Sequence, residues 1–326
     1  PTRRSSDLYF FMESAAEAAI ESGMRAVLAQ GAMDIETPDA SGSNDWENRV
    51  NRFLDNFPHS KITKPALFCH SPYLCSERAF VRAHEIALEH DMILFSHVSE
   101  TLQEVQNSLD QHTLRPFERL ARMGVLDRNF VAVHSVHVND EERSMLSESG
   151  AGIVHCPRSN MKLSSGMAHV KKLADRGINL GIGTDGPASN NNLDLFEEMR
   201  SAALISKIAG SEKDSLSVNE TLFFVTQGGA RVLNMENVIG SLETGKYADL
   251  IVVDLNAPHM NPPYCRESFL VYSGRGSDVR HVFVHGKQVV RDRKITTIDM
   301  EVLMDKVRRF SGDISRNTGV SFWGKQ

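Results

Sequence analysis

The feature that most constrains this sequence is a regular alternation of short, continuously apolar segments with longer segments of helical periodicity. Strands that alternate with helices form parallel β-α-β units, and strands covered on both faces are apolar throughout. The apolar segments predicted as strands are 25–29, 65–70, 92–97, 130–134, 152–156 and 179–185. The helices predicted around them are 12–24, 45–57, 76–89, 102–110, 116–123, 140–149, 167–176 and 193–208. The sequence therefore predicts an α/β fold built around a parallel sheet.

The pattern changes after residue 235, where turn-forming residues and short strands replace the alternation. Residues 240–246 are rich in Gly, Ser and Thr, and strands are predicted at 249–254 and 279–284. A last helix is predicted at 297–310. These changes divide the chain into a first unit (9–235), a small β-unit (236–293), and a C-terminal helix and tail (294–326).

Composition excludes several classes of function. Of the 326 residues, 41% are hydrophobic, and the net charge of −6 gives no indication of a basic surface for nucleic acid or anionic lipid. No apolar run approaches the roughly 20 residues that a membrane-spanning helix needs. The four cysteines lack the spacing of a zinc knuckle, and we do not expect a disulfide framework in a chain of this size. We therefore expect a cytoplasmic protein without nucleic-acid or membrane partners.

The first eight residues do not read like the start of a natural protein. They are Pro-Thr-Arg-Arg-Ser-Ser-Asp-Leu, with no Met and no signal-peptide pattern. One reading frame of a common short-read sequencing adapter encodes this octapeptide. We interpret residues 1–8 as a non-native, adapter-derived tail and expect natural sequence to begin near Tyr9, which sequencing the source DNA across the junction would test.

Chemically reactive side chains stand at the carboxyl ends of the predicted strands. His70, His97, His134 and Asp185 each end or directly follow a strand. The carboxyl ends of parallel strands in a barrel open on one face, so residues far apart in sequence meet there. A single histidine at a strand end is commonly structural, but this set in register predicts an active site.

Local motifs indicate metal chemistry at this face. His97 and Glu100 form an H-x-x-E pattern at a strand end. Neutral imidazole is a good ligand for Zn²⁺ or Fe²⁺, and a nearby carboxylate can serve as general acid and base. Asp185 lies between small residues in Gly-Thr-Asp-Gly, which leaves room for a metal or a substrate. The sequence therefore predicts a metal-dependent hydrolytic site.

Three longer stretches carry a resemblance to a known family. Residues 155–166 (HCPRSNMKLSSG) are similar to a stretch of methylthioadenosine/S-adenosylhomocysteine deaminases, and residues 183–200 resemble the segment that follows their last barrel strand. Residues 239–250 (IGSLETGKYADL) resemble the closing β-sandwich segment of the amidohydrolase superfamily. The resemblance extends over nearly everything from Tyr9 onward. It implies a (β/α)8 TIM-type barrel with its N-terminal strands missing, a small β-sandwich unit and a C-terminal helix.

The resemblance also implies a role for each strand-end residue. His97 and Asp185 match metal ligands, and Asp185 can also take a proton from the hydrolytic water. Glu100 matches the proton shuttle, and His134 matches the residue that orients the water and polarises the substrate. His70 matches a histidine that contacts the heterocycle. The implied cofactor is one divalent metal, with Zn²⁺ as the first expectation and Fe²⁺ or Mn²⁺ as alternatives.

One part of the family pattern is absent from the sequence. The resemblance implies an H-x-H pair at the end of the first barrel strand, but the sequence contains no H-x-H, and its first histidine is His59. A metal held by His97 and Asp185 alone has two protein ligands, whereas zinc sites have three or four. We therefore expect that the chain as written binds metal poorly and is inactive.

The expected function is hydrolysis of a non-peptide C–N bond. The first hypothesis is hydrolytic deamination of an adenine-type nucleoside such as S-adenosylhomocysteine or methylthioadenosine. The alternatives are a hydrolase of another heterocycle, such as a triazine or a guanine-like ring, and a metal-free scaffold or inactive fragment. The expected partners are a small heterocyclic substrate and water, and the family resemblance is compatible with a homo-oligomer.

Overall fold

A parallel sheet forms the centre of the molecule. The computed structural model describes residues 6–8, 10–39, 45–210 and 215–318. Within these residues seven strands form one sheet, and each strand pairs in parallel with its neighbours in chain order. The strands are β1 (Ser6–Leu8), β2 (Ala26–Gly31), β3 (Thr63–Phe68), β4 (Leu94–Val98), β5 (Phe130–His134), β6 (Gly152–His155) and β7 (Asn179–Ile182). The predicted parallel α/β sheet is confirmed.

A second, antiparallel sheet follows the first in sequence. Its strand order is β11–β10–β9–β8. The strands are β8 (Leu250–Val253), β9 (Val279–Val284), β10 (Lys287–Arg291) and β11 (Lys294–Ile295). The predicted small β-unit is present, and the last of its strands reaches just beyond residue 293. The unit boundaries at 235 and 293 stay a prediction.

Helices connect the strands and cover the sheet. They are α1 (Met12–Ser22), α2 (Trp46–Asn56), α3 (Glu77–Glu89), α4 (Leu102–His112), α5 (Pro116–Arg122), α6 (Asp140–Ser149), α7 (Pro157–Lys162), α8 (Val170–Ala174), α9 (Pro187–Asn190), α10 (Leu195–Ala209), α11 (Val218–Phe224), α12 (Gln227–Val232), α13 (Arg266–Tyr272) and α14 (Met300–Thr318). Side-chain caps fix several of their starts; the Ser76 side chain accepts a hydrogen bond from the Ala79 amide at 3.1 Å at the beginning of α3. Among the described residues, no helix is both long enough and apolar enough to cross a membrane.

The strands are buried on both faces, which explains their continuously apolar sequence. Leu67 and Leu94 belong to the apolar cluster that packs against the surrounding helices. Their neighbours Ala66, Phe68 and Phe95 point to the opposite face, into a second cluster. Because successive side chains of a strand alternate between faces, both positions must be apolar when both faces are covered.

The structure differs from the sequence prediction at its beginning. Ser6–Leu8 forms a short strand that pairs with β2, with Asp7 opposite Leu28. The sequence analysis assigned these residues to a non-native tail and predicted no strand there, because a three-residue segment is too short to show a strand pattern. The participation of residues 6–8 in the sheet does not bear on the origin of the octapeptide, which stays a prediction. Residues 1–5 and Tyr9 lie outside the described part of the chain.

Helix α12 packs unusually close to the last strand of the parallel sheet. A Cβ placed on Gly228 would lie 2.5 Å from the Leu180 carbonyl oxygen, and one on Gly181 would lie 3.3 Å from the Gly229 Cα. No side chain fits at the first position without a shift of the backbone. The glycines therefore allow α12 to rest directly on β7, beside the strand end that leads to Asp185.

Candidate metal centre

The strand ends place the predicted side chains on one face of the sheet. His97 lies near the end of β4, and His134 is the last residue of β5. Asp185 follows β7 closely. His134 has a φ of 73° and Asp185 a φ of 59°, both in the left-handed region that non-glycine residues rarely adopt. Such backbone conformations concentrate at functional sites, where the surrounding structure holds them in place.

His97, His134 and Asp185 come together as a group that could hold a metal ion. One ligand atom from each lies within 4.8 Å of the others. The His134 Nε2 lies 4.0 Å from Asp185 Oδ2, and the centroids of the His97 and His134 rings are 5.3 Å apart. The sequence prediction gave His134 a role toward water and substrate only. The structure adds that its Nε2 is close enough to serve as a third ligand.

The two histidines are held through one ring nitrogen each. His97 Nδ1 donates to the His70 carbonyl oxygen at 3.1 Å, and His134 Nδ1 donates to Asn160 Oδ1 at 2.9 Å. These bonds leave Nε2 of both rings to face the centre. Metal-binding histidines commonly use the second ring nitrogen in this way, which fixes the tautomer and the ring orientation.

Electrostatics favours neutral imidazole at this site. Burial, with smaller contributions from His134 and His70, lowers the pKa of His97 to about 3. A neutral imidazole presents a lone pair at physiological pH, and metal binding requires that form. Two imidazoles and one carboxylate suit Zn²⁺, Fe²⁺ or Mn²⁺. The described residues therefore fit a divalent metal.

Glu100 lies beside the candidate centre on the loop after β4. Its Oε2 is 3.7 Å from His134 Nε2. The buried carboxylate of Glu104 accepts hydrogen bonds from the amides of Ser99 and Glu100, both at 2.8 Å. Burial raises the pKa of Glu104 to about 7. Glu104, which the sequence reasoning missed, therefore fixes the turn that carries Glu100.

The centre opens into a cavity of about 870 Å³. His70 lines it, with its ring centroid 4.9 Å from that of His97, and burial lowers the pKa of His70. Phe68 packs edge-on against His97, with centroids 5.2 Å apart, and also lines the cavity together with Phe95. The cavity thus combines apolar and aromatic walls with a polar cluster at one end, as sites for small heterocycles do.

Sequence reasoning also missed the side chains that support the centre. Ser159 Oγ donates to Asp185 Oδ2 at 2.6 Å, and Ser165 Oγ donates to Glu100 Oε1 at 3.1 Å. The available signal was that 159–163 is a polar segment after a strand, where a loop over the active-site face is expected. The sequence did not indicate which side chain each residue would contact.

Fold and site together define an α/β protein with a candidate metal centre at the carboxyl ends of parallel strands. The model of the amidohydrolase family matches residues 2–289. The chain belongs to this family.

Individual relatives agree with this assignment. The chain is 40% identical over 302 residues to a 5-methylthioadenosine/S-adenosylhomocysteine deaminase of Syntrophobacter fumaroxidans, covering 93% of this chain and 69% of the relative. It superposes with a TM-score of 0.93 on the zinc-bound crystal structure of an adenosine deaminase from Xanthomonas campestris, at 34% identity, covering 96% of this chain and 72% of that one. An atrazine chlorohydrolase from Arthrobacter aurescens complexed with zinc has a TM-score of 0.85 at 22% identity, covering 94% of this chain and 72% of that one. The last likeness shows the fold alone.

Proposed function

We propose that this protein is a metal-dependent aminohydrolase that deaminates an adenine-type nucleoside, with S-adenosylhomocysteine and methylthioadenosine as the first candidates. The observation that carries the proposal is the meeting of His97, His134 and Asp185 with the Glu100 carboxylate in one cavity. Nothing in the packing of the sheet requires these polar groups to converge, whereas hydrolysis of an amidine-like carbon does.

The proposed metal is Zn²⁺, held by His97 and Asp185 with His134 close by. When bound, the metal supplies a hydrolytic water that is acidic enough to act as a nucleophile near neutral pH. Zinc is also bound in the Xanthomonas campestris adenosine deaminase structure reported above. Fe²⁺ and Mn²⁺ accept the same donor set.

The side chains of this protein would carry out the proton transfers, stabilise the attacking oxygen and contact the substrate. Water adds to the ring carbon that carries the amino group, and Glu100 takes the proton that the water gives up. Glu100 then passes this proton to the ring nitrogen and assists the departure of ammonia. His134 stabilises the attacking oxygen, and Asp185 accepts the second proton of the water, which passes to the amino group as it leaves as ammonia. His70, at the wall of the cavity, contacts the heterocycle.

The proposed fold is the (β/α)8 barrel of the family with a small β-sandwich and a C-terminal helix. The seven parallel strands in chain order support it, as does the likeness to zinc-bound relatives over most of the chain. In this fold the active site lies at the carboxyl ends of the strands, where the candidate centre is found.

Two other functions differ from the first in testable ways. A sister hydrolase would act on another heterocycle, such as a triazine or guanine, with the same centre. A metal-free scaffold or inactive fragment would keep the fold without turnover. We expect weak metal binding by this chain, and no turnover until metal is added in excess, because His97, His134 and Asp185 are at most three ligands and the sequence lacks H-x-H.

A substrate panel assayed for ammonia tests the proposal. The protein is incubated with added Zn²⁺ and with S-adenosylhomocysteine, methylthioadenosine, adenosine, guanine or a triazine. We expect ammonia from the thioether nucleosides, and no ammonia from the same protein carrying Asp185→Asn or treated with a chelator. Release from guanine or the triazine alone would favour the sister hydrolase. No release from any compound at saturating Zn²⁺ would favour the scaffold or inactive fragment.

A further inference from the structure

One short segment contacts three different side chains of the candidate centre. It runs from Ser159 in α7 to Ser165 in the loop that follows, and we call it the 159–165 segment. Three of its side chains each make one hydrogen bond to a different residue of the centre, at 2.6, 2.9 and 3.1 Å. The pairs are Ser159 with Asp185, Asn160 with His134, and Ser165 with Glu100.

The three side chains of the segment are buried, while the Asp185 and Glu100 carboxylates that two of them contact are 18% and 22% exposed. Ser159 is 0% exposed, Asn160 2% and Ser165 4%. A buried hydroxyl or amide that loses its partner keeps its full desolvation cost, so each bond has little freedom to break and reform. Buried polar groups of this kind specify one arrangement of side chains rather than several.

The 159–165 segment is itself anchored to other parts of the fold. The Arg158 amide, just before it, donates to the buried Glu198 carboxylate at 3.1 Å. Lys162 Nζ donates to the Ala188 carbonyl oxygen at 2.6 Å. His137 Nε2 donates to the Ser165 carbonyl oxygen at 2.6 Å. Groups that do not belong to the candidate centre therefore hold the segment at each end. These anchors fix the position of the segment relative to the centre.

We propose that Ser159, Asn160 and Ser165 are positioning residues that together set the orientation of the metal-binding and proton-carrying side chains. Each of the three acts on a different property of the centre. Ser159 holds the Asp185 carboxylate for metal, Asn160 fixes the tautomer of His134, and Ser165 holds Glu100 toward the cavity. The kinetic consequence rests on the proposed function; the effects on metal affinity and on the tautomer do not.

The kinetic test is Ser165→Ala. The Glu100 carboxylate loses the hydrogen-bond donor that holds it toward the cavity. We expect kcat to fall 10–100-fold with little change in KM, the usual size for loss of a residue that supports a reacting group. Ser165→Thr, which keeps the hydroxyl, should restore kcat.

The control for this test is Ser164→Ala, because Ser164 is an exposed hydroxyl in the same loop. It should leave kcat and KM unchanged. A Ser165→Ala protein with the kcat of the unmodified protein would overturn the role of Ser165. Loss of kcat without recovery in Ser165→Thr would also contradict it, because a merely structural defect behaves that way.

The metal test is Ser159→Ala and requires no substrate. Affinity for Zn²⁺ alone is measured by competition with a chelating dye. We expect it to weaken 10–100-fold, with recovery in Ser159→Thr. Unchanged affinity would overturn the role of Ser159, even if the protein deaminates every compound in the panel.

The tautomer test uses Asn160→Ala in the metal-free protein. Imidazole ¹⁵N chemical shifts report which ring nitrogen of His134 carries the proton. We expect a pure Nδ1–H tautomer in the unmodified protein and a mixture in Asn160→Ala, because the acceptor at 2.9 Å is lost. The same single tautomer in both proteins would overturn the role of Asn160. This readout is decisive even if the protein neither binds zinc nor releases ammonia.

Discussion

At the scale of single residues, the candidate centre depends on which nitrogen of each imidazole ring bonds to the protein and which one faces the cavity. His97 and His134 each give Nδ1 to an acceptor of the protein and keep Nε2 for the cavity. The left-handed backbone of His134 and Asp185 turns both side chains at the ends of their strands. Because such conformations cost about 1–3 kcal/mol each, the tight hydrogen bonding around them is what keeps them in place.

The carboxylate of Glu100 should be indispensable for turnover. Glu100→Gln removes the group that accepts and returns the proton but keeps its size, so kcat should fall about 10²–10⁴-fold. Ammonia release under saturating Zn²⁺ measures the change. Glu148→Gln, at an exposed acid on α6, serves as the matched control and should leave kcat unaltered. Retention of near-normal kcat in Glu100→Gln would rule out Glu100 as the proton shuttle.

His155 should lower the free energy of unfolding of the protein at acid pH. It is 2% exposed, neither ring nitrogen has a hydrogen-bond partner among the described residues, and burial lowers its pKa to about 3. The unfolded chain binds a proton at His155 below about pH 6.5, while the folded chain does not until about pH 3. The contribution of His155 to the free energy of unfolding is therefore complete above pH 6.5. It declines as the pH falls toward 3, by at most about 1.4 kcal/mol per pH unit.

Denaturant unfolding between pH 7 and pH 4 measures this contribution. In His155→Leu the free energy of unfolding should fall less steeply with decreasing pH than in the unmodified protein. The part of the pH dependence that comes from His97 should remain. His112→Gln, at an exposed histidine of α4, should keep the original slope. An unchanged slope in His155→Leu would contradict the account of a buried neutral imidazole.

The sequence was sufficient to predict which strand-end residues of the candidate site lie together, but not which side chains contact them. His70, His97 and His134 could be placed because the strand pattern determines which ends meet. Ser159 and Ser165 could not, because the path of the loop after β6 decides which carboxylate each hydroxyl reaches. A serine in a polar loop carries no sequence signal that distinguishes such a contact from exposure to solvent.

At the scale of secondary-structure elements, the contact between α12 and β7 depends on the absence of a side chain. Gly228→Ala places a methyl group 2.5 Å from the Leu180 carbonyl oxygen, so helix and strand must separate. We expect a loss of about 1–3 kcal/mol in the free energy of unfolding, the usual range for overpacking. Denaturant unfolding curves measure it.

The neighbouring glycine provides the control. A Cβ on Gly229 would have its nearest contact at 3.5 Å, an ordinary van der Waals distance. Gly229→Ala should therefore be neutral, or stabilise the helix by up to about 1 kcal/mol. Equal effects of the two substitutions would show that close packing at Gly228 is not what limits stability.

Strands were easier to predict than helices, for a physical reason. β5 and β9 begin and end at the predicted residues, and in β5 a run of buried side chains marks both ends. Helices α11 and α12 were not predicted, because they are short and α12 contains two glycines, which oppose helix formation in isolation. Their stability comes from packing against β7 and its neighbours, which local sequence does not reveal.

At the scale of the whole molecule, one buried ion pair links the two sheets. Arg25, just before β2, donates from Nη2 to Asp249 Oδ1 at 2.9 Å, next to β8. The guanidinium also stacks on Tyr247, with its central carbon 4.6 Å from the ring centroid. Arg25 is 3% exposed, so removal of the carboxylate leaves a buried charge without its partner.

Asp249→Ala should therefore destabilise the protein by about 3–5 kcal/mol. The comparison is Asp292→Ala, which breaks the exposed pair with Arg280 and should lower stability far less, because solvent screens that pair. Thermal unfolding of both variants measures the difference. Similar losses from the two variants would mean that the buried pair does not join the parallel and antiparallel sheets energetically.

The central claim is that His97, His134 and Asp185 form the metal centre of a hydrolase. Titration of Zn²⁺ into the purified protein, followed by calorimetry, tests it most directly. We predict one zinc site per chain, with affinity reduced about 100-fold or more in His97→Ala and Asp185→Ala and unchanged in His112→Ala. No zinc binding by the unmodified protein, or equal affinity in all four proteins, would contradict the account.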